Sequence, residues 1–333
     1  MINGNRFFVK QLKTIVFIGY SSVFKELINI NKKYNINSFV ITSTDQSKLL
    51  DVDFYIFDSI TDELFSFLKN KGDIKEILLI SIGSRLIFNK KIINFLEGNL
   101  INFHGSRLPF DSGGGGFSWR IMRGDRIDNQ LVHIVDEGID TGHIIDSESS
   151  IFPSWCKNPQ EHQNYSQQRF LIFYENFISK VKDGKLFDLR IQDKNIGNYY
   201  PRLNTEINGL IDWSLSSNDL YNFINSFDEP YIGASTFLNN NLKEKVYIKS
   251  IQIHGGEFPN HPFMKGLVTR NQKKWIIVAT SDKNSLIIEK VIDVNGKNIV
   301  DKIRPGDRFN TPQKYLDNSF LERIKYNTKG KIL

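Results

Sequence analysis

Cysteine is almost missing. Cys156 is the only one in 333 residues, which excludes an intrachain disulfide and a cysteine-based metal cluster and makes a reducing compartment the default. No apolar run approaches the ~20 residues that a bilayer-crossing helix needs. The N-terminal run Ile15-Val16-Phe17-Ile18 is bounded by Lys13 and Gly19 and lacks a small-residue cleavage pattern, so it reads as a buried first strand rather than a signal peptide. A cytoplasmic protein with no membrane partner is therefore expected. Two glycine signatures are absent as well. Gly19-Tyr20-Ser21-Ser22 is not a GxGxxG turn, and Gly113 to Gly116 lacks the Lys-Ser/Thr of a phosphate-cradling loop, so neither a nicotinamide cofactor nor triphosphate hydrolysis is supported. Charge of one sign does not dominate: the net charge of +6 suits an anionic partner without choosing it. With 40% hydrophobic and 24% charged residues, disorder and fibrous repeats are excluded too.

What is present is an alternation of strand and helix through the first half. Thr14 to Gly19, Ser38 to Thr42, Phe54 to Phe57, Ile77 to Ile82 and Leu100 to His104 read as strands. Val23 to Ile30, with Ser21-Ser22 as its cap, Thr61 to Leu68 and Lys90 to Leu96 read as helices between them. Continuous apolar strands separated by helices predict an α/β fold, a doubly wound and mostly parallel sheet of Rossmann type, which binds ligands beyond the carboxyl ends of its strands. A long helix is expected over Glu161 to Val181, ended at Lys182-Asp183-Gly184. From Trp213 the pattern changes to a short helix, Ser217 to Phe227, and then to Ala234 to Leu238, Lys245 to Ile253, Trp275 to Ala279 and Ser285 to Val291. These short strands predict a small β-rich C-terminal domain. The division is placed at 1–204 and 205–333.

Residues able to do chemistry concentrate between Asn102 and Asp140. Alternation along the strand Leu100 to His104 points Asn102 and His104 the same way, with Ile101 and Phe103 in packing. A second strand, Leu131 to Val135, feeds the acidic turn Asp136-Glu137-Gly138-Ile139-Asp140-Thr141-Gly142. Singly these residues are unremarkable: a lone strand histidine is most often structural, and Asp beside Gly most often makes a turn.

Together they carry a resemblance. Asn102-Phe103-His104 followed by Ser106 and Leu108-Pro109, with the acidic turn downstream, is similar to the folate-dependent formyltransferase family, whose members act on methionyl-tRNA, glycinamide ribonucleotide or sugar nucleotides. Leu78 to Phe88 resembles that family's strand and loop beside the pterin. Asn208 to Trp213 and Phe227 to Ala234 resemble the start of the C-terminal domain in its tRNA and sugar-nucleotide branches. The resemblance implies a catalytic trio of Asn102, His104 and Asp140, with N10-formyltetrahydrofolate as co-substrate and no metal. It further implies a folate site formed by Ser84, Arg85, Leu86, Ile87, Val135, Asp136 and Gly138. His133 matches a further histidine that some members carry near the site, and a purely structural role for it is equally open. On the acceptor side Gly105, Ser106, Phe117, Trp119 and Tyr231 are the candidates, aromatic rings being suited to stack on a base or sugar.

The trio's residue types match the reaction. An imidazole near neutral pKa can carry a proton between the amine and the leaving nitrogen. A carboxylate orients it, and an amide NH2 suits a developing oxyanion. For the acceptor, residues 205–333 hold 18 Lys plus Arg against 14 Asp plus Glu, scattered, with only Lys273-Lys274 adjacent. That is a weak footprint for a tRNA, so nucleic acid is not favoured; the resemblance implies a nucleotide-linked amino-deoxysugar, first a dTDP-amino-dideoxyhexose, as the small-molecule partner. Use in O-antigen or lipopolysaccharide synthesis is an expectation from the resemblance alone. Methionyl-tRNA formyltransferase and formyltetrahydrofolate hydrolase are the alternatives. No oligomeric state is legible, although a β-rich C-terminal domain offers a surface for a homodimer.

Overall fold

The computed structural model describes residues 2–3, 5–114, 116–193, 195–255, 259–322, 325–327 and 330–332. Gly115, within the glycine run, lies outside them. In chain order the main elements are β1 (Thr14–Gly19), α1 (Phe24–Lys33), β2 (Asn37–Thr42), β3 (Tyr55–Ile56), α2 (Asp62–Lys69), β4 (Ile77–Ile82) and α3 (Lys90–Phe95). Then come β5 (Leu100–His104), α4 (Gly116–Met122), β6 (Ile127–Ile134), β7 (Ile144–Ile151) and α5 (Pro159–Lys182). The residues group into two compact units. The first holds Met1–Ser112, Ile127–Ile151 and Tyr165–Tyr199; the second holds Gly113–Arg126, Phe152–Asn164 and Tyr200–Leu333. Two segments from before residue 204 thus group with the later chain.

The first unit is built on a seven-stranded sheet ordered β7-β6-β5-β4-β1-β2-β3. The strands β5 through β3 run parallel, while β6 and β7 are antiparallel. From β1 the chain winds outward to β2 and β3, then returns to β4 on the other side, so the strand order reverses between β1 and β4. Crevices form at such a reversal because the crossover connections leave in opposite directions. The parallel strands are uniformly apolar because both faces are covered: Val16 and Ile18 pack with Leu64, Leu68 and Ile92 on one face, and Ile15 and Phe17 pack with Leu27 and Tyr174 on the other. Phe103 lies edge-on to Phe170, Phe173 and Phe177 of α5. The fully buried Tyr174 hydroxyl donates to Asn31 Oδ1 at 2.8 Å, so its polar tip is satisfied. Burial pushes its pKa up.

The second unit carries a six-stranded antiparallel sheet of β8 (Ala234–Leu238), β9 (Lys245–His254), β10 (Val268–Asn271), β11 (Ile276–Ala279), β12 (Ser285–Asp293) and β13 (Phe309–Asn310), ordered β10-β11-β12-β9-β8-β13. Helix α6 (Ser217–Ser226) covers it through Leu220 and Ile224. Trp213 stacks on Phe309 at 5.6 Å and donates from Nε1 to Thr236 Oγ1.

Among the differences from expectation, three lie in the first unit. Ser21 and Ser22 do not cap α1; the helix starts after Val23, whose N–H donates to Ser21 Oγ at 3.3 Å. Strand β6 begins at Ile127 rather than Leu131, because Asp128, Asn129 and Gln130 are buried despite their polarity. Gln130 Nε2 and Ser166 Oγ both donate to the Asp128 carboxylate, and Ser149 Oγ donates to Asn129 Oδ1. Mutual satisfaction makes such burial tolerable. Strand β7, Ile-Ile-Asp-Ser-Glu-Ser-Ser-Ile, was not expected at all: it is the sheet's polar edge, where apolar periodicity is weakest.

Candidate active site

Side-chain alternation in β5 does what the sequence predicts. Ile101 and Phe103 enter the core, and Asn102 and His104 stay partly exposed on the opposite face. The antiparallel neighbour β6 pairs Asn102 with His133 and His104 with Leu131. His133 is 2% exposed; its Nε2 lies 3.0 Å from Asn102 Nδ2. The acidic turn after β6 then brings Asp140 alongside. One carboxylate oxygen of Asp140 is 3.8 Å from His104 Nε2 and the other is 3.7 Å from His133 Nε2. Asn102, His104 and Asp140, separated by up to 38 positions, are thus linked through His133 within the first unit.

The turn is held in a shape that places Asp140. Its φ of 57° lies in the left-handed region, which is sparsely populated for residues with a side chain and tolerated best by Asn and Asp. The Asp136 carboxylate accepts from Gly138 N and from Thr141 Oγ1. Buried Gln192 donates from Nε2 to the carbonyls of Asp140 at 2.9 Å and Gly142 at 2.6 Å. At Gly142 a Cβ would stand 1.8 Å from the Ile134 carbonyl oxygen, so only glycine lets the turn close against the strand end. Gln192 and Gly142 went unassigned in the sequence reading. No local pattern marks Gln192, which lies in an irregular stretch 50 residues downstream.

Burial raises the Asp140 pKa. The imidazoles of His133 and His104, which are charged in the acid range where a carboxyl titrates, outweigh that, and the carboxyl is held below its usual range. The sign follows. A carboxyl with a folded-state pKa below its unfolded value of about 3.9 contributes stability above that pH and loses it as pH falls through the folded value. Asp140→Asn is therefore expected to be destabilising at neutral pH, with a penalty that shrinks below about pH 4. Urea denaturation of both proteins across that range checks this, and a pH-independent penalty contradicts it.

The predicted folate loop follows β4 at the strand-order reversal. Gly19, at the end of β1, has a φ of 118°, and a Cβ there would lie 2.6 Å from Ser84 N; the two loops meet backbone to backbone. Ser84 Oγ accepts from Leu86 N, Arg85 pairs with Asp45, and Leu86 shares an apolar cluster with Phe88 and Val135. Lys90 reaches Glu137 at 3.2 Å. The loops at 84–87 and 135–138 therefore face one another. Each rim carries a large apolar side chain in solvent, Ile87 at 67% and Ile139 at 81% exposure.

The acceptor candidates divide. Gly105 and Ser106 follow His104, and Asn129 Nδ2 donates to the Ser106 carbonyl at 3.3 Å. Phe117, Trp119 and Tyr231 belong to the second unit. Phe117 packs on Phe152 and His162 there, and Trp119 packs on Tyr200 and donates to the Pro201 carbonyl. Tyr231 is 41% exposed, and its carbonyl accepts from Lys249 Nζ at 2.7 Å. No group of three or more His, Cys, Asp or Glu able to hold a metal ion occurs among the described residues.

Comparison with known proteins decides the family. A family model described as "Formyl transferase" matches residues 74–155, and "Formyl transferase, C-terminal domain" matches residues 204–302. The chain belongs to the formyl transferase family. The first match contains Asn102, His104 and Asp140 of this transferase. It is 26% identical to the methionyl-tRNA formyltransferase of Ruminiclostridium cellulolyticum over 237 residues, 71% of this chain and 73% of that protein. Among solved structures it resembles WlaRD, a sugar 3N-formyl transferase determined with dTDP and 5-N-formyl-THF, with a TM-score of 0.59 and 18% identity, over 86% of this chain and 99% of that one. The N-formyltransferase of Helicobacter canadensis, in complex with folinic acid and dTDP-3-aminofucose, aligns with a TM-score of 0.60 and 16% identity, over 84% and 99%. At those identities the structural likeness shows the shared fold of the transferase. No described helix is long and apolar enough to cross a membrane.

Proposed function

We propose that this chain moves a formyl group from N10-formyltetrahydrofolate to the amine of a nucleotide-linked amino-deoxysugar, a dTDP-linked amino-dideoxyhexose being the first candidate. The observation that carries the reading is the convergence of Asn102, His104 and Asp140 on one end of the sheet, beside the strand-order reversal. The facing loops fit a flat heterocycle, since Ile87 and Ile139 are apolar surface that such a ring would cover. Ser84, Leu86, Val135, Asp136 and Gly138 would hold it, and the Arg85 side chain, through its pair with Asp45, would stiffen the rim. The bound folate supplies the formyl carbon and the departing nitrogen.

In this reading an unprotonated amine attacks the formyl carbon, and the carbonyl electrons move onto oxygen. An amide N–H of Asn102 donates to that oxygen as it becomes negative, a contribution on the order of 3 kcal/mol in comparable acyl transfers. His104 accepts the proton that the amine loses and returns it to the folate nitrogen as the C–N bond breaks, so no net acid or base is consumed. Asp140 orients the imidazole and stabilises its charged form. The WlaRD and H. canadensis neighbours, both named with dTDP, support the sugar-nucleotide acceptor, as does the scattered charge of residues 205–333. The methionyl-tRNA formyltransferases among the sequence relatives favour the competing acceptor.

One incubation separates them. The full chain is given N10-formyltetrahydrofolate with dTDP-, UDP- and GDP-linked amino sugars, with charged methionyl-tRNA, or with no acceptor, and products are read by mass. A single added formyl group on the dTDP-amino sugar is expected. Formylation of the charged tRNA alone would overturn the sugar reading, and formate release without any amine would point to hydrolysis.

A further inference from the structure

We infer that His133 is a positioning residue that decides which end of the Asn102 amide faces the cleft. This rests on the role of Asn102 proposed above and extends it to a residue that acts only through Asn102.

The argument is one of donors and acceptors. His133 Nδ1 lies 2.8 Å from the Ile134 carbonyl oxygen. A carbonyl only accepts, so Nδ1 carries the proton. Nε2 faces Asn102 Nδ2 at 3.0 Å, and since an amide NH2 only donates, Nε2 is the lone pair that accepts. The amide therefore donates one N–H to His133. The second hydrogen on the same nitrogen remains for another acceptor, which is what an oxyanion donor requires. Turning the amide over would set Oδ1 against the Nε2 lone pair, two acceptors in contact at a 2%-exposed ring that bulk water does not reach. The register pairing of Asn102 with His133 across β5 and β6 fixes the approach. The titratable groups facing the ring are Asp140, 3.7 Å from Nε2, and His104, with ring centroids 6.4 Å apart.

The test is a double-mutant cycle of Asn102→Ala and His133→Ala. It follows tetrahydrofolate release with N10-formyltetrahydrofolate and whichever of the dTDP-amino sugar or charged methionyl-tRNA supports turnover. His133→Ala is expected to lower kcat by about 10- to 100-fold, the range typical of residues that orient a functional group, with the KM for the formyl donor within about twofold. On the Asn102→Ala background the same change is expected to cost less than about threefold. Equal losses on both backgrounds would overturn the proposal. Unchanged turnover in Asn102→Ala alone would instead overturn the role of Asn102, so the two failures are distinct. If His133→Ala does not fold, His133→Gln supplies a carbonyl able to accept from the amide, and partial rescue is expected. A 1H–15N spectrum of the wild-type imidazole adds a reading that does not depend on activity. It is expected to show Nδ1 carrying the proton and Nε2 accepting, and a proton on Nε2 contradicts the inference.

Discussion

Replacing His104 by asparagine is expected to lower kcat for formyl transfer by about 10²- to 10⁴-fold, the range for loss of a positioned acid–base group, while leaving the melting temperature close to that of wild type. The two halves of this expectation come from the same strand. His104 sits partly exposed at the end of β5, and the apolar burial of that segment is supplied by Ile101 and Phe103 on the other face. Asparagine keeps a polar donor of smaller size but cannot take a proton from an amine near neutral pH. The loss should therefore fall on kcat, with the KM for the formyl donor little changed, because the loops at 84–87 and 135–138, proposed to hold the folate, are untouched. Initial rates together with a thermal melt decide it. Turnover within about threefold of wild type would remove His104 from the proton path.

Gly142→Ala is the second large expectation, and it acts through backbone. The added Cβ would stand 1.8 Å from the Ile134 carbonyl oxygen and 3.5 Å from His133 Nδ1. A main-chain oxygen cannot swing aside like a flexible side chain, so the turn must move away from the end of β6. Overpacking of this kind costs about 1–3 kcal/mol. The displaced segment also holds Asp140 and receives both Gln192 donations. Misplacing a functional group by about 1 Å costs on the order of 10²-fold in rate, so activity should fall further than stability. Gly255→Ala, where nothing lies within 4 Å of the added atom, is the control. A Gly142→Ala protein with wild-type kcat and melting temperature would show that the turn does not depend on this contact.

The amino-acid sequence by itself determined the parallel strands and the candidate trio. β1, β4 and β5 fall at their predicted bounds because both faces of a parallel sheet are covered, and continuous apolar runs are legible without any partner. Asn102 and His104 were legible because strand alternation is local, and Asp140 because the resemblance tied the acidic turn to them. The tertiary structure alone decided the rest. The polar strand β7 and the polar start of β6 are strands only because Asp128, Gln130 and Ser166 satisfy one another once the sheet and α5 meet. His133 Nε2 lies within 4 Å of both Asn102 and Asp140, and Gln192 holds the Asp140 turn, only after register and chain return bring distant residues together. Local propensity and periodicity act over a few residues, whereas hydrogen-bond partners separated by about 30 to 50 positions are chosen by the packed fold.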